Sequence, residues 1–333
     1  KDNELSGLQL KINSNGKSAK FNFDFDRISA GPLEVANTQL EGVFNDRSLD
    51  LQLDAFKGEK DFFSSKVSVQ FEDKDLYRIN ISPDQLILNG ASWSIPKENE
   101  IIYQKDSIKV SNFRLSRNSQ EIQLTDDLDY EKPHFGVIFK NFKLSTITTY
   151  LNPEENLASG DLSGEIVVIE PLISNGLVSD FRVDDLKVAE VPLGNLELKA
   201  KASSNDNYDL DLSLKGEGVD LNLSGIYHTN DTETDVDLKL DLNKINMKTI
   251  ESFASDLVKN SKGELYGEFS IQGVPQDLDY SGYLAFKNAQ FNLQMLNTLF
   301  QLENEKIELS NNKIKLNNFS ILSSKVWCWF FKL

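Results

Sequence analysis

Side chains capable of catalytic chemistry are few and scattered in this sequence. The two histidines, His134 and His228, each stand on a turn-like segment beside charged residues, and the single cysteine, Cys328, has no plausible base among its neighbours. A serine or cysteine nucleophile needs an adjacent base or a Gly-x-Ser-x-Gly turn, and the sequence offers neither. We therefore expect solvated loop histidines and a chain that is not an enzyme.

Two further patterns resemble ligand sites but lack essential residues. Gly16-Lys17-Ser18 matches the end of a P-loop, yet Lys11 stands where that loop needs its first glycine. The acidic stretches 126–129 and 231–235 lack the glycine and the terminal glutamate of an EF-hand loop. Paired carboxylates elsewhere, such as Asp209 and Asp211, have strand spacing and are typical of a solubilising face. The sequence predicts neither a metal site nor a cofactor.

The overall charge narrows the choice of partners. The chain has 333 residues and a net charge of −17, with 52 acidic and 35 basic residues. Nucleic acid is disfavoured as a partner because phosphate binding needs a basic stripe, and adhesion to anionic headgroups is disfavoured for the same reason. One cysteine excludes disulfides within the chain. The start at Lys1-Asp2, without an initiator Met, predicts a processed start or a fragment edge.

The dominant pattern is strict alternation of apolar and polar residues. In a strand, this spacing places the apolar side chains on one face and the charged ones on the other. Antiparallel sheets with one dry face have this pattern, whereas parallel sheets have continuous apolar runs. The sequence predicts an elongated, antiparallel all-β repeat fold. The alternating runs include 8–12, 21–25, 49–53, 67–71, 196–200, 210–214, 219–223 and 236–242.

Helical spacing occurs in two short segments, and these expose an internal repeat. Leu144 to Leu151 and Met247 to Val258 each have apolar residues three or four positions apart, and Pro153 would end the first helix. Each helix precedes a Gly-x-x-x-Gly strand entry, Gly160 with Gly164 and Gly263 with Gly267. Seven matching positions are separated by 103 residues each. The predicted segments are 1–140, 141–243 and 244–323, followed by an atypical tail.

The tail, residues 324–333, interrupts the alternation. It contains two of the three tryptophans and the cysteine. Two interpretations stay open, an artefactual or truncated end and a genuine hydrophobic last strand.

Three stretches resemble the TamB (translocation and assembly module subunit) family of the AsmA-like superfamily, in its Bacteroidetes-type members. The strongest stretch, 262–291, has the order of glycine-rich strand, Gly-x-Pro turn and further glycine strand found in that family. Residues 302–321 continue the likeness, and 77–113, which include Trp93, resemble the strands that precede it. The resemblance covers most of residues 40–323.

The resemblance implies a β-taco, a folded U-shaped sheet with a lipid-lined groove, in the periplasm of a diderm bacterium. Members of the family have an inner-membrane anchor helix, contact an outer-membrane barrel of the TamA type, and take part in phospholipid transport and outer-membrane protein assembly. We expect this chain to be an internal or C-terminal-proximal fragment, because neither an anchor helix nor a convincing family C-terminus is recognisable in its sequence.

We therefore expect a periplasmic conduit that shields phospholipid acyl chains between the two membranes. Exposing two acyl chains to water costs on the order of 20 kcal/mol, at ~0.8 kcal/mol per CH₂, and an apolar wall removes most of this cost. The alternatives are an assembly factor that templates barrel strands on a sheet edge and a cell-surface β-sandwich adhesin. The residues expected to face the groove are Leu196, Leu198, Leu210, Leu212, Leu214, Val219, Leu221, Leu223, Val236, Leu238, Leu240, Phe291 and Leu293.

Overall fold

The structure is a computed structural model, and the predicted all-β class is confirmed in it. Nearly all of the regular structure is antiparallel strand in long open sheets, accompanied by two short α-helices. The chain divides into two compact units, Lys1–Asn175 and Gly176–Leu333. The segment bounds expected from the sequence repeat stay a prediction. The structure describes residues 3–30, 33–73, 75–105, 107–152, 154–173, 176–202, 206–229, 234–275, 277–311, 313–323 and 329–331.

The first unit contains an 11-stranded sheet in the order β1-β3-β4-β5-β6-β7-β10-β11, with β2 paired to β3 and the β8–β9 hairpin beside β6. Strands β12 to β15 pair in chain order. The strands and helix are β1 (Glu4–Ser6), β2 (Gln9–Ser14), β3 (Ser18–Ala30), β4 (Leu33–Asn45), β5 (Ser48–Lys57), β6 (Lys60–Asp73), β7 (Leu76–Ile81), β8 (Ile87–Leu88), β9 (Ala91–Ser92), β10 (Glu100–Gln104), β11 (Ser107–Ser111), β12 (Arg114–Arg117), β13 (Gln120–Thr125), β14 (His134–Lys143), α1 (Ser145–Leu151) and β15 (Ala158–Ile169).

Aromatic side chains form much of the core of the first unit. The Tyr150 ring of α1 packs against Phe63 of β6, with 5.1 Å between ring centroids. Trp93 and Phe142 lie 5.8 Å apart, and both are buried. The apolar side of α1 is therefore anchored on the sheet, and burial raises the pKa of the Tyr150 hydroxyl.

The second unit follows the order β16-β17-β18-β19-β20-β21-β22-β23-β26-β27, with β24 paired to β22 and β25 paired to β24. Its strands and helix are β16 (Gly176–Val188), β17 (Val191–Ala202), β18 (Asn207–Lys215), β19 (Val219–Thr229), β20 (Thr234–Asn246), α2 (Met247–Phe253), β21 (Val258–Val274), β22 (Asp277–Leu293), β23 (Thr298–Leu302), β24 (Lys306–Ser310), β25 (Lys313–Leu316), β26 (Phe319–Ser323) and β27 (Trp329–Phe331).

Both helices lie where the sequence predicted them. The second ends earlier than its apolar pattern, because the backbone turns after Phe253 and Val258 already begins β21. Pro153, expected to end the first helix, lies outside the described residues. In the tail, β27 pairs with β26, and the residues around it are not among those described.

Bulges interrupt the alternation of several strands. At Asp185 on β16 and at Asn288 on β22 the backbone is left-handed, with φ of 53° and 49°, and the register shifts by one residue. Side chains alternate between the two faces of a strand. An extra residue therefore moves every side chain after it to the face opposite the one that strict alternation would give. The two bulges are 103 residues apart, the interval of the sequence repeat.

Candidate functional site

The second unit presents one continuous apolar face, which we call the leucine face. Residues that lie directly opposite each other in an antiparallel sheet share a face, so the register defines its rows. One row contains Val183, Leu196, Leu214, Leu221, Leu242, Gly267, Leu284, Ile307 and Leu316. The next contains Phe181, Leu198, Leu212, Leu223, Leu240, Phe269, Gly282, Leu309 and Ile314.

Most leucines of this face are neither fully buried nor fully exposed. The half-buried side chains include Leu196, Leu212, Leu223 and Leu240. A side chain between the two sheets of a closed sandwich would instead be fully buried. Part of the apolar surface of these leucines stays accessible, so the face offers apolar surface to a ligand.

The opposite face of the same strands is charged and wet. Glu197, Lys199, Asp211 and Lys239 alternate with the leucines and are exposed. Lys239 contacts Asp241 at 2.8 Å, and this hydrogen bond with the carboxylate raises the pKa of the lysine. Exposed ion pairs of this kind contribute little to stability, so their main effect is to keep the outer face hydrated.

The residues predicted to line a groove fall on the leucine face. Ten of them are in or beside the two rows, and Val219, on the same strand as Leu221, is buried at 5% exposure. Phe291 and Leu293 reach this side through the bulge at Asn288, and Phe291 packs 5.9 Å from Phe300. The prediction omitted Leu242, the last residue of the run 236–242, and four residues of β21 and β22 whose alternation is interrupted by glycine, namely Leu265, Phe269, Ile271 and Leu284.

The helix α2 covers one end of the leucine face. Met247 and Leu265 form a buried cluster with Ala289, Leu302 and Phe319, and Ile250 packs against it. The N-cap residue Asn246 accepts a hydrogen bond from Lys248 N through Oδ1, at 2.9 Å. The sequence placed the helices along the chain but did not decide whether they plug or flank a groove, and the structure packs α2 on the leucine face itself.

A carboxylate fastens α2 to the neighbouring strand. Oε2 of Glu251 accepts a hydrogen bond from the backbone N–H of Ser261 at 2.6 Å. This bond to the charged form lowers the pKa of Glu251 below its ordinary value. The contact holds the helix beside Asn260, where β21 has a bulge of its own with φ of 56°.

The glycines of the repeated strand entry allow backbone conformations and close backbone contacts that other residues would not. Gly160, Gly164 and Gly263 have φ of 146°, 115° and 88°. A Cβ at Gly263 would stand 2.2 Å from the carbonyl oxygen of Asn288, and one at Gly267 would stand 2.1 Å from that of Tyr283. Both sites need the close approach that only glycine allows, and Gly263 also needs its left-handed φ.

The two histidines differ from each other, and neither is the solvated loop residue that the sequence predicted, because His134 begins β14 and His228 lies within β19. The His134 side chain is buried, with 8% exposed. Nδ1 lies 2.9 Å from the carbonyl oxygen of Lys132, and Nε2 accepts from Leu128 N at 3.0 Å, so the ring organises the loop before β14. His228 is half-buried, and its Nδ1 lies 2.7 Å from Asn207 Oδ1.

Within the described ranges, no group of three or more His, Cys, Asp or Glu side chains is arranged to hold a metal ion. In the same part of the chain, no helix has the length and apolar character needed to cross a membrane. Comparison with known proteins found no matching family model, no matching curated protein and no matching solved structure. The resemblance to the TamB family stays a prediction.

Proposed function

We propose that this chain is a phospholipid conduit that acts by passive shielding, with acyl chains lying on the leucine face. The observation that carries the proposal is the continuity of that face across nine strands, β16 to β22 with β24 and β25, while its leucines keep part of their surface accessible. No chemistry of its own is needed, because the work is done by excluding water.

The dimensions and energetics fit an acyl chain. Nine strands at ~4.8 Å spacing give rows about 38 Å long in the hydrogen-bonding direction. Such a row exceeds the ~30 Å thickness of a bilayer's hydrocarbon core. Each CH₂ contributes up to ~0.8 kcal/mol, in proportion to the area that the face removes from water, and this contribution is independent of its position along the chain. A lipid can therefore occupy many positions on the face at similar free energy, which is the property that transport requires.

Location and partners follow from the family resemblance and are part of the proposal. A TamB-like chain would work in the periplasm, bridging the inner and outer membranes as part of a membrane-anchored protein. Its partners would be phospholipid and an outer-membrane barrel of the TamA type. The charged outer face, with Asp211 and Lys239 exposed, supports a protein that keeps one side of its sheet in water.

A second candidate function rests on a strand in the first unit. All six residues of β2 are exposed, and in the described part of the chain this strand pairs with β3. An exposed strand of this kind can accept another strand by backbone hydrogen bonds. This supports an assembly factor that templates barrel strands, and crosslinks from Lys11 or Asn13 to nascent barrel proteins would favour it.

The test of the lipid proposal is native mass spectrometry of the full chain purified from a bacterial periplasm, combined with lipid extraction. We expect several phospholipid molecules per chain. A stable chain free of lipid, which also fails to take up added fluorescent phospholipid, would contradict the proposal. Crosslinking to barrel proteins without bound lipid would instead favour strand templating.

A further inference from the structure

His134, the first residue of β14, closes the loop that connects β13 to β14 in the first unit. The loop comprises residues 126–133, and the imidazole beside it is buried. Nε2 of the ring accepts a hydrogen bond from the backbone N–H of Leu128 at 3.0 Å, and Nδ1 lies 2.9 Å from the carbonyl oxygen of Lys132. One side chain therefore holds both arms of the loop.

These two contacts require a single protonation state of the ring. A nitrogen that accepts a hydrogen bond from a backbone N–H has no proton of its own, and a nitrogen that faces a carbonyl oxygen has to donate one. The His134 ring is therefore neutral, with its proton on Nδ1. A second proton, on Nε2, would point at the N–H of Leu128, so that two donors would face each other without an acceptor between them.

The same loop is a contact between the two sheets of the first unit, and we call residues 126–133 the latch. Oδ1 of Asp126 accepts a hydrogen bond from the backbone N–H of Val110 on β11, at 2.8 Å. Strand β11 ends the 11-stranded sheet, whereas β13 and β14 belong to the other sheet. At the far end of the latch, the carbonyl oxygen of Pro133 accepts from Glu170 N at 2.7 Å. The latch thus joins β11 to the strands on either side of it.

The surroundings of the ring carry more negative than positive charge. The titratable and charged side chains around it are Lys109 of β11, Asp126, Tyr130, Glu131 and Lys132 of the latch, Glu165 of β15 and Glu170 after β15. Burial raises the pKa of the Tyr130 hydroxyl, whose ring packs 5.3 Å from the imidazole, so Tyr130 stays neutral where histidine titrates. The carboxylates attract a positive charge on the ring, although its present hydrogen bonds are made by the neutral form.

We propose that His134 is a pH-sensitive switch that releases the latch when its ring is protonated. At neutral pH the ring holds Leu128 and Lys132, and the latch keeps Asp126 against Val110. Below about pH 6, where histidine gains a proton, the cation opposes the Leu128 N–H and the latch leaves β11. This opening belongs to the first unit and does not require lipid on the leucine face, so it can be tested separately from the proposed function.

The experiment is amide hydrogen exchange of the full chain at about pH 7.5 and about pH 5.5, each rate being divided by the intrinsic exchange rate at that pH. The two amides to follow are Leu128, which is bonded to the ring, and Val110, which is bonded to Asp126. We expect protection at both to fall about tenfold or more at the lower pH, because the latch loses a buried hydrogen bond. Carboxyl groups ordinarily stay ionised at both pH values.

Two matched variants assign the effect to one ring. His134→Gln keeps one acceptor and one donor in the side chain but gains no proton, so protection at Val110 should no longer depend on pH. His228→Gln removes the other histidine of the chain and should respond to pH as the parent does. An equal fall in the parent and in His134→Gln, or a response that is lost in His228→Gln, would overturn the proposal.

A second measurement follows the ring in the parent chain, so it holds even where His134→Gln does not fold. Nitrogen-15 NMR of labelled histidine distinguishes the neutral tautomers from the cation. We expect the Nδ1–H tautomer of His134 at neutral pH, and the cation at the lower pH together with the loss of protection at Val110. A cationic ring with unchanged protection, or a ring that stays neutral at both pH values, would exclude the switch.

Discussion

Leu223 of β19 lies directly between two other leucines, opposite Leu212 of β18 on one side and opposite Leu240 of β20 on the other. These three side chains are half-buried, and the register sets them side by side on one face of the sheet. The leucine face is thus a product of register, and a change at one position alters the surface offered by the strands beside it.

Replacing Leu212 or Leu221 with Asp should remove bound lipid while the sheet stays hydrogen-bonded. An unpaired carboxylate under acyl chains costs several kcal/mol, which corresponds to a fall of about tenfold or more in lipid per chain. Native mass spectrometry measures this number. The control is Ser213→Asp, which places the same charge on the opposite face of β18. Equal lipid in all variants would contradict a role for the face.

The two methionines of the chain make a matched pair for testing the cluster under α2. Met247 is buried, at 5% exposure, whereas Met295 is 83% exposed. Met247→Ala should lower the free energy of unfolding by about 2–5 kcal/mol because it leaves a cavity. Met295→Ala should stay within about 0.5 kcal/mol of the parent. Urea denaturation followed by circular dichroism measures both, and equal effects would mean that α2 does not pack as described.

Two glycines with similar backbone angles separate steric crowding from backbone strain. Gly16 has φ of 83°, and a Cβ there would have no atom within 4 Å, whereas Gly263 has φ of 88° and the Asn288 carbonyl oxygen 2.2 Å from such a Cβ. Gly16→Ala should cost about 1–2 kcal/mol, the ordinary penalty of left-handed backbone. Gly263→Ala should cost clearly more, and often prevent folding, as judged by unfolding curves and soluble yield. Similar costs would show that the two strands can separate easily at Asn288.

Acidification should loosen α2 through Glu251. Its pKa in the folded chain is lower than the ordinary 4.5, because it accepts the Ser261 N–H. A depressed carboxyl pKa contributes stability above the unfolded pKa, and this contribution is lost as pH falls through the folded pKa. Glu251→Gln should therefore be less stable than the parent at neutral pH and should approach it well below pH 4.5. The difference is modest because the group is partly solvated. A constant difference at all pH values would exclude the charge as its cause.

Local patterns were enough to predict the strands and one of their faces. Leu212 on β18 and Leu223 on β19 each belong to a run in which apolar and polar residues alternate. The register of the two strands then places these leucines opposite each other. The Asn89-Gly90 turn between β8 and β9 has positive φ at both residues, as its sequence predicts.

Features that depend on tertiary contacts were not readable in this way. The burial of His134 depends on backbone groups of Leu128 and Lys132, which no periodicity reveals. The position of α2 on the leucine face depends on the cluster around Met247, to which four separate strands contribute. Phe291 was predicted to face the groove, but its side is decided by the bulge at Asn288, a single residue without a sequence pattern of its own.

The bulges at Asp185 and Asn288 have a consequence for how this chain can change over evolutionary time. A surface built by register tolerates exchange of any one leucine for isoleucine, valine or phenylalanine, so its individual positions should vary freely among relatives. The residues that form the bulges cannot vary in this way, since a β-branched residue disfavours a φ near 50°. Loss of the bulge without loss of a residue would turn Ala289 and Phe291 to the charged face. We expect the slowly evolving positions of this protein to be the asparagine, aspartate and glycine residues at the bulges. The apolar residues proposed to contact the ligand should vary more among relatives.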